Sequence, residues 1–475
     1  MTLAKAVDRA VAHLDTGAFE RDLARRVAIP TVSQPPIEAD ACRAYLADEI
    51  GPALAALGCE WRIVENPDEP ACPALIAVRN EDSNLPTIFC YGHGDVVRGL
   101  DDLWDEGLSP WRLERRGDRL YGRGTADNKG QHSILIEAQR AVLQTRGRLG
   151  FNLRWLIETG EEAGSAGLRQ ICRDNKDTLK ADFLLASDGP RLSPDRPKLS
   201  LGTRGALNFT LSLKLRDGGL HSGNWGGLAA NPATILANAL ASIADRRGKF
   251  AIEAWQPDSL TPSVKRALAK ISFDKSQAAN GGFFADDDWG DESLSAAERV
   301  YGWNSFEVLS FIAGTPDRPV NAIPPWAEAH CQLRYVVGTD VENILPALRD
   351  HLDKNGFSQI EISQPDGVTF GATRTDPEAP LVLWAADIIE RQSGAPIDIL
   401  PNVGGSLPTD IFVEELGLPM LWVPHSYGGC GQHGPNEHLL LPAVREGLGI
   451  MTALFWEIGE GTAPIDRLRA GSEAA

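Results

Sequence analysis

The chain has 475 residues, of which 43% are apolar and 23% charged, the make-up of a soluble globular protein of two or three domains at roughly 150 residues each. Its 65 acidic residues outnumber 46 basic ones, leaving a net charge of −19. That balance repels nucleic-acid phosphates and anionic membranes and sets both aside as partners.

The first thirty residues are amphipathic and mix both charge signs, without the continuous apolar core of a signal peptide. Glu38 to Leu57 has helical spacing, with Gly58 as a stop. Pro73–Val78 and Thr87–Tyr91 read as buried strands, Lys129–Thr145 as a helix, and Asn152–Ile157 and Phe183–Ala186 as further strands. This alternation predicts an α/β fold, a mixed sheet covered by helices. The pattern shifts near Gly202. Leu207–Leu215 alternates like a half-exposed strand, Asn231–Ala244 is helical, Ala327–Val337 is a strand and Val341–Asn355 a helix. Strands with one wet face and helices on the other predict an inserted α+β domain over 205–376. Within it, Ser272–Glu298 is acidic, aperiodic and read as a loop. The α/β signature returns over 377–475, with helix Leu381–Ser393, strand Met420–Val423 and helix Pro442–Ile458; residues from Gly461 read as a frayed tail. The outer domain is thus 1–204 with 377–475. Seven cysteines, an odd number without a CxxC pair, fit reduced thiols in a cytoplasm. No run of about 18 apolar residues occurs, so no spanning helix is expected.

Four polar clusters follow predicted strands or precede a helix of the outer domain. They are His93-Gly94-Asp95, Gly122–Gly130 around Asp127, Glu158–Ser165 around Glu161 and Glu162, and Ser187-Asp188-Gly189-Pro190. His93 and Asp95, two apart in an extended stretch, share a face, and a carboxylate beside an imidazole fixes its tautomer for metal binding. In open α/β sheets ligands collect beyond the carboxyl ends of strands, so these clusters can converge on one crevice. Asp127, Glu161, Glu162 and Asp188 would then repel one another, and divalent cations such as zinc or manganese would relieve the repulsion. A fifth segment, Gln432–His438, offers a second imidazole. Taken singly, each cluster reads as a turn, a solvated helix start or a core histidine; their joint placement reverses that judgement. Gly122 and Gly124 look like half a dinucleotide fingerprint, but Asp127 stands where the third glycine belongs. HExxH, GxSxG and GxxxxGK[ST] do not occur.

Together the stretches GHGDVV, GRGTADNKG, ETGEEAGS, SDGP and GQHGPNEH resemble one family, in order and across nearly the whole chain. It is the family of dinuclear-zinc peptidases that includes carnosine dipeptidase, aminoacylase, carboxypeptidase G and succinyl-diaminopimelate desuccinylase. The resemblance implies a metal-binding catalytic domain interrupted by a lid and dimerisation domain. It implies that His93, Asp127 and Asp188 bind one metal, and that Glu162, His433 and the shared Asp127 bind the other. Asp95 would orient His93, Glu161 would be the general acid/base, and a cis peptide would join Asp127 to Asn128. The cofactors would be two divalent ions, zinc first and manganese or cobalt as alternatives, activating water and polarising the scissile carbonyl.

In the lid, His221 resembles the histidine that reaches the partner subunit's site in dimeric members and stabilises an oxyanion. Arg334 resembles a carboxylate clamp, Asn321 a polar substrate contact, and Gly404-Gly405-Ser406 the loop that receives the same carboxylate. Strand-edge arginine and ordinary loop carry equal weight for these positions. Asp, rather than Glu, at 188 tilts the resemblance towards dipeptidases needing a free amino group, although the carnosinase-like lid histidine is not evident in ATRTDPEAP. The expected protein is a cytoplasmic homodimeric metallopeptidase acting on dipeptides or similar small amino-acid derivatives, with Gly205 and the stretch near Asp376 as hinges. The rival readings are an N-acyl or N-carbamoyl amino-acid amidohydrolase and a catalytically silent binding protein.

Overall fold

The computed structural model describes residues 1–271, 286, 288–365 and 370–466. Most of the expected acidic loop and the end of the expected tail lie outside these residues. Of the tail, Gly461 to Asp466 are described, and Ile465 is buried rather than frayed.

An eight-stranded mixed sheet forms the centre of the larger part. Its strands are β1 (Glu60–Val64), β2 (Ala74–Arg79), β3 (Thr87–His93), β4 (Asn152–Glu158), β5 (Phe183–Ala186) and β6 (Lys198–Ser200), joined from the second half by β11 (Asp398–Leu400) and β12 (Met420–Trp422). Their order across the sheet is β1-β2-β4-β3-β5-β12-β6-β11. β4, β3, β5 and β12 run parallel. Both faces of these inner strands are covered, so they read as continuous apolar runs. Ile88 and Cys90 face a core shared with α1 (Leu3–Asp15), α2 (Lys129–Arg146), α5 (Pro380–Ser393) and α6 (Leu441–Gly459), whereas Phe89 and Tyr91 face a second core with Ile411 and Phe412. Each fully buried aliphatic or aromatic side chain contributes about 1.5–3 kcal/mol. The expected helix over Glu38–Leu57 is present from Ala39 to Ala55, with a π turn at Tyr45–Ile50.

A second sheet has the order β8-β9-β7-β10, from β7 (Gly205–Lys214), β8 (Ser305–Ala313), β9 (Trp326–Tyr335) and β10 (Glu361–Ser363). Along β7, Leu207, Phe209, Leu211 and Leu213 are buried in one core with Leu236 and Ile243 of α3 (Pro232–Ile243) and Leu348 and Leu352 of α4 (Ile344–Lys354). Intervening residues such as Asn208 are exposed, which is the period-two pattern of a sheet covered on one side. β8, missed in the sequence, is an edge strand with Val308, Leu309 and Phe311 exposed.

The two sheets are joined by two segments that hydrogen-bond to each other. Thr203 and Thr373 exchange backbone bonds, Ala206 N–H donates to Phe370 O and Thr375 N–H to Leu201 O. A Cβ on Gly202 would lie 1.9 Å from the Thr373 carbonyl oxygen, so only glycine allows this approach.

Candidate metal centre

The parallel strands β4, β3 and β5 end at one sheet edge, so the loops leaving them meet there. His93 is the last residue of β3 and pairs in register with Glu158, the last of β4. Glu161 and Glu162 open a short 3-10 turn just beyond β4, and Asp188 lies two residues past β5. Asp127 closes the glycine-rich loop before α2, joined to Asn128 by a cis peptide bond.

Two groups of candidate ligands result, His93–Asp127–Asp188 and Asp127–Glu162–His433, each with its ligand atoms within 4.8 Å of one another. Asp127 belongs to both. Its Oδ1 is 3.0 Å from His93 Nε2, and its Oδ2 is 3.1 Å from His433 Nε2. His93 Nε2 is also 3.5 Å from Asp188 Oδ2, and His433 Nε2 is 3.0 Å from Glu162 Oε2. His93 and Asp188 are buried, whereas the His433 side chain is 60% exposed and marks the open side.

The cluster is braced from behind. His93 Nδ1 lies 3.1 Å from the main-chain oxygen of Asp95 and 3.4 Å from its carboxylate. That carboxylate accepts bonds from Ser33 Oγ and from the Glu162 backbone N–H. Glu437 holds the Asp127 loop: one oxygen accepts from the backbone N–H groups of Ala126 and Asp127, the other from Gly124 N–H and Arg123 Nη1. Asn128 donates to Ser187 O and accepts from His132 Nδ1, whose Nε2 accepts from the Tyr45 hydroxyl. Burial keeps His132 well below its usual pKa, consistent with this neutral tautomer.

The electrostatics are those of a site that demands positive charge. Burial disfavours a charged His93, yet Asp127, Asp188 and Asp95 around it outweigh burial and hold it well above its ordinary pKa. Hydrogen bonds to Asp127 and Glu162 push His433 up to about 11. Burial, then repulsion from Asp127, raises Glu162 to about 7. Glu161 is raised well above its ordinary value, first by burial and then by Glu162, Asp188 and Asp127. Asp188 Oδ2 and Asp95 Oδ1 are buried with no hydrogen-bond partner among the described residues. Two imidazoles and three carboxylates in two overlapping groups, with an unpartnered buried oxygen among them, fit a pair of divalent cations of borderline softness.

The remaining candidates separate into two sets. Gly405 and Ser406 line the same cavity as Asp188. Arg334 on β9 donates to Ser406 Oγ at 2.9 Å, and Ser406 Oγ donates to Arg204 O. His221 and Asn321 join neither ligand group. Both are exposed beside a two-stranded ribbon in which His221 pairs with Ala322, and Asn321 O accepts from Ser222 N–H. Gln432 Nε2 donates to Asp127 Oδ2 at 3.3 Å, and this bracing by Glu437, Gln432, Asn128 and Ser33 is not expected from the sequence. Gln432 and Glu437 lie inside the GQHGPNEH segment, which was one signal for them; Ser33 has none.

The sequence profile of peptidase family M20/M25/M40 matches residues 89–457. A Beta-Ala-His dipeptidase of Mus musculus is 34% identical over 405 residues, covering 82% of this chain and 81% of that protein. A cysteinylglycine-S-conjugate dipeptidase of Corynebacterium striatum is 26% identical, covering 76% and 78%. The solved M20-family metallo-carboxypeptidase of Sulfolobus solfataricus superposes with a TM-score of 0.75 at 24% identity, over 93% of this chain and 99% of that one. Among the described residues no helix is long and apolar enough to cross a membrane.

Proposed function

The chain belongs to peptidase family M20/M25/M40, and on that premise we propose that it is a metal-dependent hydrolase that cleaves the amide bond of dipeptides. The observation that carries the reading is the pair of three-ligand groups sharing Asp127. The dipeptidases among its relatives supply the substrate class.

In this reading His93, Asp127 and Asp188 hold one cation, and Asp127, Glu162 and His433 the other. Bound there, two divalent ions, zinc by preference, supply Lewis acidity for the scissile carbonyl and for the attacking water. The protein's own work is proton transfer and positioning. Glu161, whose carboxyl is held high by burial and neighbouring carboxylates, takes the proton of the attacking water and returns it to the leaving nitrogen. Asp95 fixes the tautomer of His93 through Nδ1, with the carboxylate held in turn by Ser33. Arg334, held on Ser406, and the Gly405 backbone receive the terminal carboxylate of the substrate.

Residues 205–376 act as the lid, hinged at Gly205 and near Asp376. The exposed edge strand β8, with Val308, Leu309 and Phe311, supports a homodimer formed through this lid. His221 and Asn321, which the chain leaves at its surface, then complete the partner's site. The protein works in the cytoplasm, where its seven buried, unpaired cysteines stay reduced. The deciding experiment assays the full chain, purified with its metal, on dipeptides and on N-acetyl and N-carbamoyl amino acids. Dipeptide turnover is expected; turnover of blocked amino acids alone would replace the reading with an amidohydrolase.

A further inference from the structure

The turn that carries Glu161 gives its carboxyl no direct hold. Among the described residues the Glu161 side chain makes no hydrogen bond or ion pair, so its place is set by the main chain beneath it. Glu162, the next residue, is held twice: its backbone N–H donates to Asp95 Oδ2, and its carboxylate lies 3.0 Å from His433 Nε2. The turn is closed by its own backbone. Ala163 and Ser165 N–H donate to Gly160 O, and Gly164 N–H donates to Glu161 O. Gly164 and Ser165 have φ of 93° and 53°, so the chain turns back on itself here. A left-handed conformation is uncommon for a residue with a Cβ, and at Ser165 a side-chain bond secures it.

The partner in that bond is Glu158, the last residue of β4. It is 4% exposed and makes no ion pair among the described residues. Its Oε1 accepts from Ser165 Oγ at 3.0 Å and from the Tyr91 hydroxyl at 2.7 Å. Tyr91 stands on β3 two residues before His93 and is fully buried, its ring 4.9 Å from that of Phe412 and 5.7 Å from that of Trp422. The Glu158 main chain is fixed as well, since its carbonyl accepts from Gly94 N–H and the residue pairs with His93. One oxygen therefore ties the far end of the turn to the two strands that end at the metal cluster. Burying a carboxyl is unfavourable unless its oxygens are bonded, and no step of the proposed reaction uses this one.

We propose that Glu158 is a positioning residue: by holding Ser165 to Tyr91 it fixes the turn and, through the turn, the place of the Glu161 carboxyl. The inference rests on Glu161 as the base and adds to that reading a residue that belongs to neither ligand group. The demand is geometric. A base must lie within hydrogen-bond reach of the proton it takes, and a misplacement of about 1 Å can cost roughly 10²-fold in rate. Glu162 keeps its own anchors, so a loosened turn displaces the base and leaves the ligand.

The test uses the metal-loaded full chain and a dipeptide that the wild type hydrolyses. Glu158→Leu should lower kcat roughly 10- to 100-fold with KM and metal content unchanged, the mark of a contribution made in the transition state. Glu158→Gln, whose amide oxygen accepts from the same two hydroxyls, should keep most of the wild-type kcat, and Ser165→Ala should fall between the two. In a Glu161→Gln background Glu158→Leu should cost nothing further. Hydrogen exchange at the Gly164 and Ser165 amides gives a readout free of turnover: it should quicken in Glu158→Leu and not in Glu158→Gln. An unchanged kcat in Glu158→Leu overturns the proposal, as does metal lost along with activity. So does Glu158→Gln as slow as Glu158→Leu, or a further drop in the Glu161→Gln background. Should Glu158→Leu not fold, Ser165→Ala and Tyr91→Phe are read by the same measures. Full activity in Glu161→Gln removes the base and the proposal with it. Should the wild type hydrolyse no dipeptide, the dipeptidase reading falls, while exchange in the turn still decides whether Glu158 holds it.

Discussion

The candidate metal cluster and the ribbon of the inserted domain are built on opposite plans. At the cluster every candidate ligand sits at or just beyond the end of a buried strand or in a loop tied down from several directions, as Asp127 is by Glu437. At the ribbon His221 is exposed on a pairing of two residues on each side, and Asn321 is exposed just before the second strand. One chain suffices to gather the charges, whereas His221 and Asn321 of the proposed lid join neither ligand group among the described residues.

Metal removal tests the first half of that contrast and carries the largest expected effect. A chelator should abolish turnover, and zinc should restore it. Without cations, mutual repulsion of Asp127, Asp188 and Glu162 loosens the loops that carry them. Hydrogen exchange should therefore quicken over 122–128 and 160–165 while β7 and β9 of the lid keep their protection. Full turnover by a demonstrably metal-free enzyme would break the comparison outright.

Glu161→Gln comes next. General acid–base catalysis contributes roughly 10²–10⁴-fold, so kcat should fall within that range. The metal content should not change, because Glu161 belongs to neither ligand group. Elemental analysis beside steady-state kinetics separates the two effects, and metal lost with activity would make Glu161 a ligand.

The lid half is tested by His221→Ala, for which a loss of roughly 10²–10³-fold in kcat is expected of an oxyanion donor. Mixing it with Glu161→Gln sharpens the point. A hybrid dimer has one site with both Glu161 and the partner's intact histidine. Random exchange of equal amounts should therefore recover about one quarter of wild-type activity. No recovery after proven subunit exchange would place the histidine's action within its own chain.

How much of this was legible depends on what each segment touches. Phe183–Ala186 could be read to the residue, because a strand buried on both faces is an apolar run with polar ends. Asn231–Ala244 and Leu381–Ser393 were legible to within a residue at either end from their 3.6-residue spacing. Ser305–Ala313 was not, since an exposed edge strand with a register shift at Val308 has no constraint on half its side chains. β6, three residues after a proline, is too short to show a period. In the site, the strand-end ligands were visible as polar clusters abruptly following apolar runs. Their braces were not: Asp127 N–H meets Glu437 across 310 residues of sequence, and nothing local marks such a pair. The burial of Lys198 was invisible for the same reason, since it reads as an ordinary lysine until β6 is placed beside β12.

That lysine supplies the smallest effect and a last contrast between the two regions. Burial lowers Lys198 from 10.5 to about 7, whereas Lys249 of the lid is exposed and held above its ordinary value by its bond to Asp291. Below pH 7 Lys198 is charged both folded and unfolded, and folding bears the cost of burying that charge. Between about pH 7 and 10.5 the folded lysine is neutral and the unfolded one still binds a proton. The unfolded state then holds more protons, so stability rises with pH through this window. The excess stability of Lys198→Met over wild type should accordingly shrink as pH rises from 7 to 10, measured by urea denaturation at each pH. Lys249→Met should show no such slope, because that residue stays charged in both states across the same range. A flat difference at Lys198 would mean that its ammonium is already compensated in the folded chain, and its burial would then cost folding nothing.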